Sequence, residues 1–146
     1  MIGDGRSFWR GLRALVAALF VLAWPLVGTT SAATHAIDIP PWFRETFLDV
    51  REDVREAEKE GKRLMVYFGQ DGCPYCRELM RVNFSQKDIA DKTRSHFSAV
   101  AINIWGDREV TWTDGRLMSE KALAALLKVQ FTPTLLFFDE KGAVVL

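Results

Sequence analysis

Cysteine is scarce in this 146-residue chain, which holds two, Cys73 and Cys76. Histidine is equally scarce, with His35 and His96 far apart in the sequence. A structural zinc site takes about four ligands, so this count excludes a zinc module, and no other metal set is indicated. An excess of charge of one sign is missing too: Lys plus Arg and Asp plus Glu each number 19, and the basic residues form no long block. Nucleic acid and anionic membrane surfaces are therefore not the indicated partners. There is no Gly-rich phosphate loop, no internal repeat and no low-complexity tract. What is present, 49% hydrophobic and 26% charged residues, is the composition of an ordinary globular domain of a size that one core covers.

A long apolar run is lacking as well. The longest, ALVAALFVLAWPLV at residues 14–27, falls short of the roughly 20 residues that span a bilayer, and Pro25 interrupts it. Arg6, Arg10 and Arg13 precede it, and the small residues of GTTSAATHA follow. That order is the order of a secretory signal peptide. The expected organisation is a signal peptide over 1–33, a linker over 34–41 and one domain over 42–146. The expected location is the periplasm, with an uncleaved membrane anchor as the alternative.

Export gives the cysteine pair its meaning. In an oxidising compartment the plain reading of two cysteines is a structural bridge. Two intervening residues close a very small loop, however, and a bridge stabilises mainly through the loop it closes. Redox chemistry is the favoured reading of CPYC. The run KRLMVYFG (62–69) has the pattern of a buried strand, and Cys76, Leu79, Met80 and Phe84 recur at helical spacing. Cys73 then sits at a helix N-terminus, where unpaired N–H groups and the helix dipole favour a thiolate. Pro74 takes the first turn, where its missing N–H is harmless. Nucleophiles of CxxC pairs reach pKa values of about 3.5–7, against about 8.5 for a free thiol. The expected roles are Cys73, exposed, as nucleophile and Cys76, one turn deeper, as the resolving thiol.

These residues, together with VQFTPTLLFFDEKGAVVL (129–146), resemble the thioredoxin family over about residues 42–146. The resemblance implies an α/β thioredoxin-like fold, a central mixed sheet flanked by helices. It implies a cis bond at Thr132–Pro133 packed opposite the cysteines, with the Thr132 backbone pairing with a substrate peptide. It also implies that Pro74 and Tyr75 contact substrate, that no cofactor is needed, and that the partners are protein disulfides with a membrane thiol as electron donor. PWFRETFLDVREDVREAEKEGKRLMVYFG and INIWGDREV further resemble secreted, SoxW-type thioredoxins. The implied activity is thiol–disulfide exchange in the reducing direction. An oxidase or isomerase, or a peptide-binding module with an idle disulfide, are the alternatives.

Three features depart from that family. Tyr67 stands six residues before Cys73, where the family often has a buried acid. Pro-Tyr between the cysteines resembles glutaredoxin, whose potentials lie near −200 to −230 mV against about −270 mV for thioredoxin. The sequence reaches Leu146 without the family's closing C-terminal helix. Elsewhere, Val50, Val54 and Ala57 form the inner stripe of a helix over 48–60. Ser85 and Asp88 suggest a capping box, with Ile89, Thr93 and Phe97 along one helical face. A strand is expected over 97–104. A helix over 119–129 is expected, capped by Ser119, with Ala122, Leu123, Leu126 and Leu127 inward. The connection WGDREVTWTDGRLM (105–118) is long, and Trp112 within it is the expected partner-contacting residue.

Overall fold

The structure, a computed structural model, describes residues 37–145. The expected signal peptide and the start of the linker lie outside them. Among the described residues no helix is long and apolar enough to cross a membrane.

Helix α1 (Val50–Lys59) starts where Asp49 accepts hydrogen bonds from the Arg51 and Glu52 amides. It ends at Gly61, whose φ of 68° turns the chain while its amide and that of Lys62 reach back to Glu58 and Ala57. Val50, Val54 and Ala57 are buried as their spacing predicts. Strand β1 (Arg63–Gly69) follows, with α2 (Pro74–Glu78), a π-helical turn (Leu79–Asn83), α3 (Lys87–His96) and β2 (Phe97–Asn103). A hairpin of β3 (Glu109–Thr111) and β4 (Leu117–Ser119), then α4 (Glu120–Leu126) and β5 (Thr134–Phe137), complete the order.

The main sheet runs β2-β1-β5. β1 pairs in parallel with β2, Arg63 opposite Phe97 through Gly69 opposite Asn103, and antiparallel with β5, Phe68 opposite Thr134. Because side chains alternate across a strand, β1 serves two cores at once. Leu64, Val66 and Phe68 face α1 and α4, in a cluster with Val54, Val100, Ile102, Leu123 and Phe138. Met65 and Tyr67 face the other way, with Phe43, Cys73, Cys76, Met80 and Phe84. The reactive motif is thus one wall of the second core.

Four local expectations change. Ser85 does not cap α3: its hydroxyl turns back to the Arg81 carbonyl, and Gln86 stands at the cap with its side-chain amide donating to the Val82 carbonyl at 2.6 Å and not to the helix's free amides. α3 stops at His96, and Phe97 opens β2 instead of continuing a helical face. Ser119 does cap α4, accepting from the Ala122 amide at 3.3 Å. The helix buries Glu120, Leu123 and Ala124 and leaves Ala122 and Leu126 exposed. A charged residue at the first helical position has taken an inward place, which an apolar count cannot register. The expected loop 105–118 carries the β3-β4 hairpin, turned at Gly115 with φ 85°.

Asp53 is buried on α1, where it accepts a 3.2 Å bond from Thr46 Oγ1. Burial pushes its carboxyl up to about 6, the Thr46 bond opposes this, Glu56 and Asp49 add to it, and Arg44 counters them. The folded protein therefore holds this proton more tightly than the unfolded chain does, so stability falls as pH rises from about 4 to 6. Asp53→Asn should match the wild type in thermal melts near pH 4 and exceed it by about 2–3 kcal/mol above pH 6.5. A stability difference independent of pH would contradict this assignment.

Candidate active site

Three strand ends meet at the site. β1 and β2 run parallel and β5 runs against them, so the carboxyl ends of β1 and β2 share one sheet edge with the amino end of β5. The chain leaves β1 at Gly69, turns at Gly72 with φ 74°, and enters α2 with Cys73 as its N-cap. Pro74 occupies the first helical turn as expected. Cys73 and Cys76 form a disulfide with Cα atoms 5.3 Å apart. The Cys76 amide donates to Cys73 Sγ at 3.1 Å.

The opposite wall is Thr132–Pro133, whose peptide bond is cis. Thr132 Oγ1 donates to Cys73 Sγ at 3.4 Å, and the Thr132 carbonyl oxygen lies 3.6 Å from the same sulfur. Two donors, an amide and a hydroxyl, therefore aim at Cys73 Sγ. Hydrogen bonds to an ionised group are roughly twice as strong as neutral ones, so this arrangement favours a thiolate once the disulfide opens. Among the described residues no such pair of donors reaches Cys76, which is completely buried. The Thr132 hydroxyl was not singled out from the sequence, although a threonine directly before the proline is the signal.

Cys73 is not the exposed residue expected: it is 5% accessible, sunk between its neighbours. Tyr75 stands out at 75% exposure. Beneath the disulfide the helix takes a π turn, with the Phe84 amide bonding the Leu79 carbonyl five residues back at 3.0 Å. The extra residue in that turn rotates Phe84 into the core, edge-on to Trp42 at 5.2 Å, and leaves Leu79 half-buried.

Trp112 does not border the cysteines. It is buried in the other core, edge-on to Phe138 at 5.8 Å, so its ring packs the fold and is closed to a partner. The residue of that segment beside the motif is Trp105, 70% exposed, whose indole N–H donates to Gln70 Oε1 at 2.6 Å.

Tyr67, in place of a buried acid, is 1% exposed, and its hydroxyl bonds no group among the described residues. Burial, with the Asp71 charge adding to it, pushes the phenol up to about 12, so it stays protonated at neutral pH. Its ring lies over Gly69, where any Cβ would collide with it, and lines a cavity of about 130 Å³ with Ile37, Ile39, Ala101 and Arg108. No cluster of residues suited to a metal occurs among the described residues.

A disulfide at a helix cap, one wall of a core and faced by a cis-proline, is the arrangement of a thioredoxin fold. The chain belongs to the thioredoxin-like domain family, whose profile matches residues 50–146. Among its relatives is the thiol:disulfide interchange protein DsbD of Colwellia psychrerythraea, 27% identical over 153 residues that cover 97% of this chain and 23% of that protein. The DsbD of Escherichia coli K12 is 28% identical over 130 residues, 88% of this chain and 21% of that one. The chain thus spans under a quarter of the length of these relatives. A thioredoxin-fold protein from Helicobacter pylori superposes with a TM-score of 0.58 at 26% identity, covering 72% of this chain and 65% of that one. The narrower likeness to SoxW-type thioredoxins gains no support from these relatives.

Proposed function

We propose that this chain is an exported thiol–disulfide oxidoreductase that reduces the disulfides of protein partners. The observation that most supports this reading is the Cys73–Cys76 pair with two hydrogen-bond donors directed at one of its sulfurs. In the reduced protein the Cys73 thiolate attacks a partner disulfide, breaking its S–S bond and forming a mixed disulfide. One partner sulfur leaves as a thiolate and takes a proton from water. Cys76 then gives up its proton and attacks Cys73 Sγ, expelling the second partner sulfur as a thiolate that takes up a proton from water. The balance is two electrons and two protons delivered to the partner, with the Cys73–Cys76 disulfide as product.

Tyr67 holds its proton too tightly to accept the one that Cys76 releases. That proton leaves to water. Thr132, Pro133, Pro74 and Tyr75 form the surface over which the partner lies. Residues 1–33 act as the signal peptide and 34–41 as the linker to a periplasmic domain. Because the periplasm is kept oxidising kinetically, repeated turnover draws electrons from a membrane thiol carrier. No dissociable cofactor takes part.

Equilibrating the Cys73–Cys76 couple against glutathione redox buffers tests the direction. The reductant reading expects a potential at or below about −220 mV, and the glutaredoxin-like Pro-Tyr pair places the couple at the less reducing end of that region, above the roughly −270 mV of thioredoxin. A value above about −180 mV would assign an oxidase instead, and one between the two an isomerase. A disulfide that exchanges with neither thiols nor disulfides would leave a peptide-binding module.

A further inference from the structure

Phe47 is fully exposed, and the backbone beside it keeps it so. Leu48 has φ 58°, a left-handed conformation that a bulky residue seldom adopts. The resulting turn buries Leu48 and sends the Phe47 ring outward. Three bonds fix the turn. The Leu48 amide donates to Thr46 Oγ1 at 3.0 Å, that hydroxyl donates to Asp53 Oδ2 at 3.2 Å, and the Thr111 amide donates to the Leu48 carbonyl at 2.9 Å. A strained turn that presents a bare aromatic ring points to a contact the ring makes.

Five residues earlier, Trp42 forms part of the wall of a groove of about 550 Å³, together with Pro40, Met80, Phe84 and Ala90. That volume lies in the range of binding clefts. Arg77 and Arg81 also line it, against one acid, Asp38. Around Phe47 the sign is opposite. Asp49, Glu52 and Glu56 are paired with Arg51, Arg55 and Arg44, while Glu45, two residues before the ring, makes no ion pair among the described residues.

From this complementarity we propose that two copies of the chain form a two-fold dimer in which Phe47 of each fills the groove of the other, with Glu45 set against Arg77. The proposal is independent of the oxidoreductase reading.

The placement allows both contacts at once. Trp42 and Phe47 are at most about 18 Å apart along the chain. The segment between them lies on β2, an outer strand of the main sheet, where the Arg44 amide bonds the Ala99 carbonyl at 2.7 Å. Knob and groove therefore share one flank, and a two-fold axis between them brings each knob to the other copy's groove. The ring does not reach its own groove, since it is bare in the structure. A phenyl ring packed between Trp42 and Phe84 has the composition of a binding hot spot, and a carboxylate meeting a guanidinium at the rim sets the orientation. Neither cysteine lines the groove, so the disulfide stays outside the contact.

Sedimentation equilibrium of the full chain tests this, with dithiothreitol present to exclude intermolecular disulfides. Between about 1 and 100 μM the wild type should shift from monomer to dimer. Phe47→Asp should raise the dimer Kd by about 100-fold or more, since each dimer loses two anchors at about tenfold or more apiece. Its thermal melt should match the wild type, as expected for a ring that touches nothing in the monomer. Phe47→Leu should retain most of the association. Ala90→Trp, which fills the groove, should dimerise as poorly as Phe47→Asp. An equimolar mixture of these two variants should associate more tightly than either alone, because the mixed pair regains one intact knob in one intact groove. A wild type that stays monomeric would leave the groove to another occupant and overturn the proposal. A dimer that survives Phe47→Asp, a species heavier than a dimer, or a mixture no tighter than its components would overturn it as well.

Discussion

Serine at position 73 should silence the protein, and serine at position 76 should turn it into a trap for its partners. A hydroxyl at neutral pH does not open a disulfide, so Cys73→Ser should lose exchange activity by roughly 10³-fold or more, the order of losing a catalytic nucleophile. Cys76→Ser keeps the attacking sulfur at the helix cap but has nothing to release the mixed disulfide it forms. Partners should then accumulate as covalent adducts on non-reducing gels and be freed by dithiothreitol.

The asymmetry has a physical origin in the site. Cys73 Sγ receives the Cys76 amide at 3.1 Å and the Thr132 hydroxyl at 3.4 Å, and it keeps a small window to solvent, whereas Cys76 keeps none. In the reduced protein iodoacetamide should therefore modify Cys73 well before Cys76. Thr132→Val deletes one donor while conserving shape, and a hydrogen bond to a charged group contributes about 1.5–3 kcal/mol, so alkylation of Cys73 at neutral pH should slow by roughly 10-fold. Adducts trapped by Cys73→Ser in place of Cys76→Ser would exchange the two roles, and equal alkylation of both thiols would remove the basis for either.

Much of this arrangement could be read from the chain alone because it is local. A strand pattern, a turn and CPYC within 15 residues fix where Cys73 lies, since each step follows from the residues beside it. The parallel pairing of β1 with β2, and hence the edge on which the site sits, follows from a helix lying between two strands. Trp112 shows where local reading stops. An indole in a long connection reads the same whether it turns outward or inward, and only the β3-β4 hairpin, which folds the segment back against Leu48 and Phe138, decides that it is core. The same fold leaves Trp105 outside, held by a side chain 35 residues away. Ser85 failed as a cap for a related reason: the preceding π turn offers its hydroxyl the Arg81 carbonyl instead. Glu120 escaped notice altogether, since acidic residues in a first helical turn are usually solvated.

Glu120→Ala should destabilise the fold as strongly as the loss of a large buried core side chain. The carboxylate is 1% exposed and works as a hub. Oε1 accepts from the Asn103 amide at 2.9 Å and from the Arg108 guanidinium at 2.7 Å, and Oε2 accepts from the Arg108 amide at 3.2 Å. Its own amide and that of Lys121 bond the carbonyls of Arg108 and Gly106, each at 3.0 Å. One side chain thus ties the end of β2 and the segment carrying Trp105 to the start of α4. Alanine leaves two backbone donors without acceptors, at about 1–3 kcal/mol each, and removes an ionic bond besides. A loss of about 3–5 kcal/mol follows, more than 10 °C in Tm for a domain of roughly 100 residues. Glu120→Gln separates charge from shape: its oxygen can serve Asn103 and the guanidinium, but its NH₂ then faces the Arg108 amide, donor against donor, so its cost should fall in between. Gly106→Ala attacks the hub from the other side, because a Cβ there would land on the Glu120 carboxylate, and that carboxylate cannot move without giving up all three bonds. If Glu120→Ala melts within about 2 °C of the wild type, the segment holding Trp105 is anchored by something other than this carboxylate.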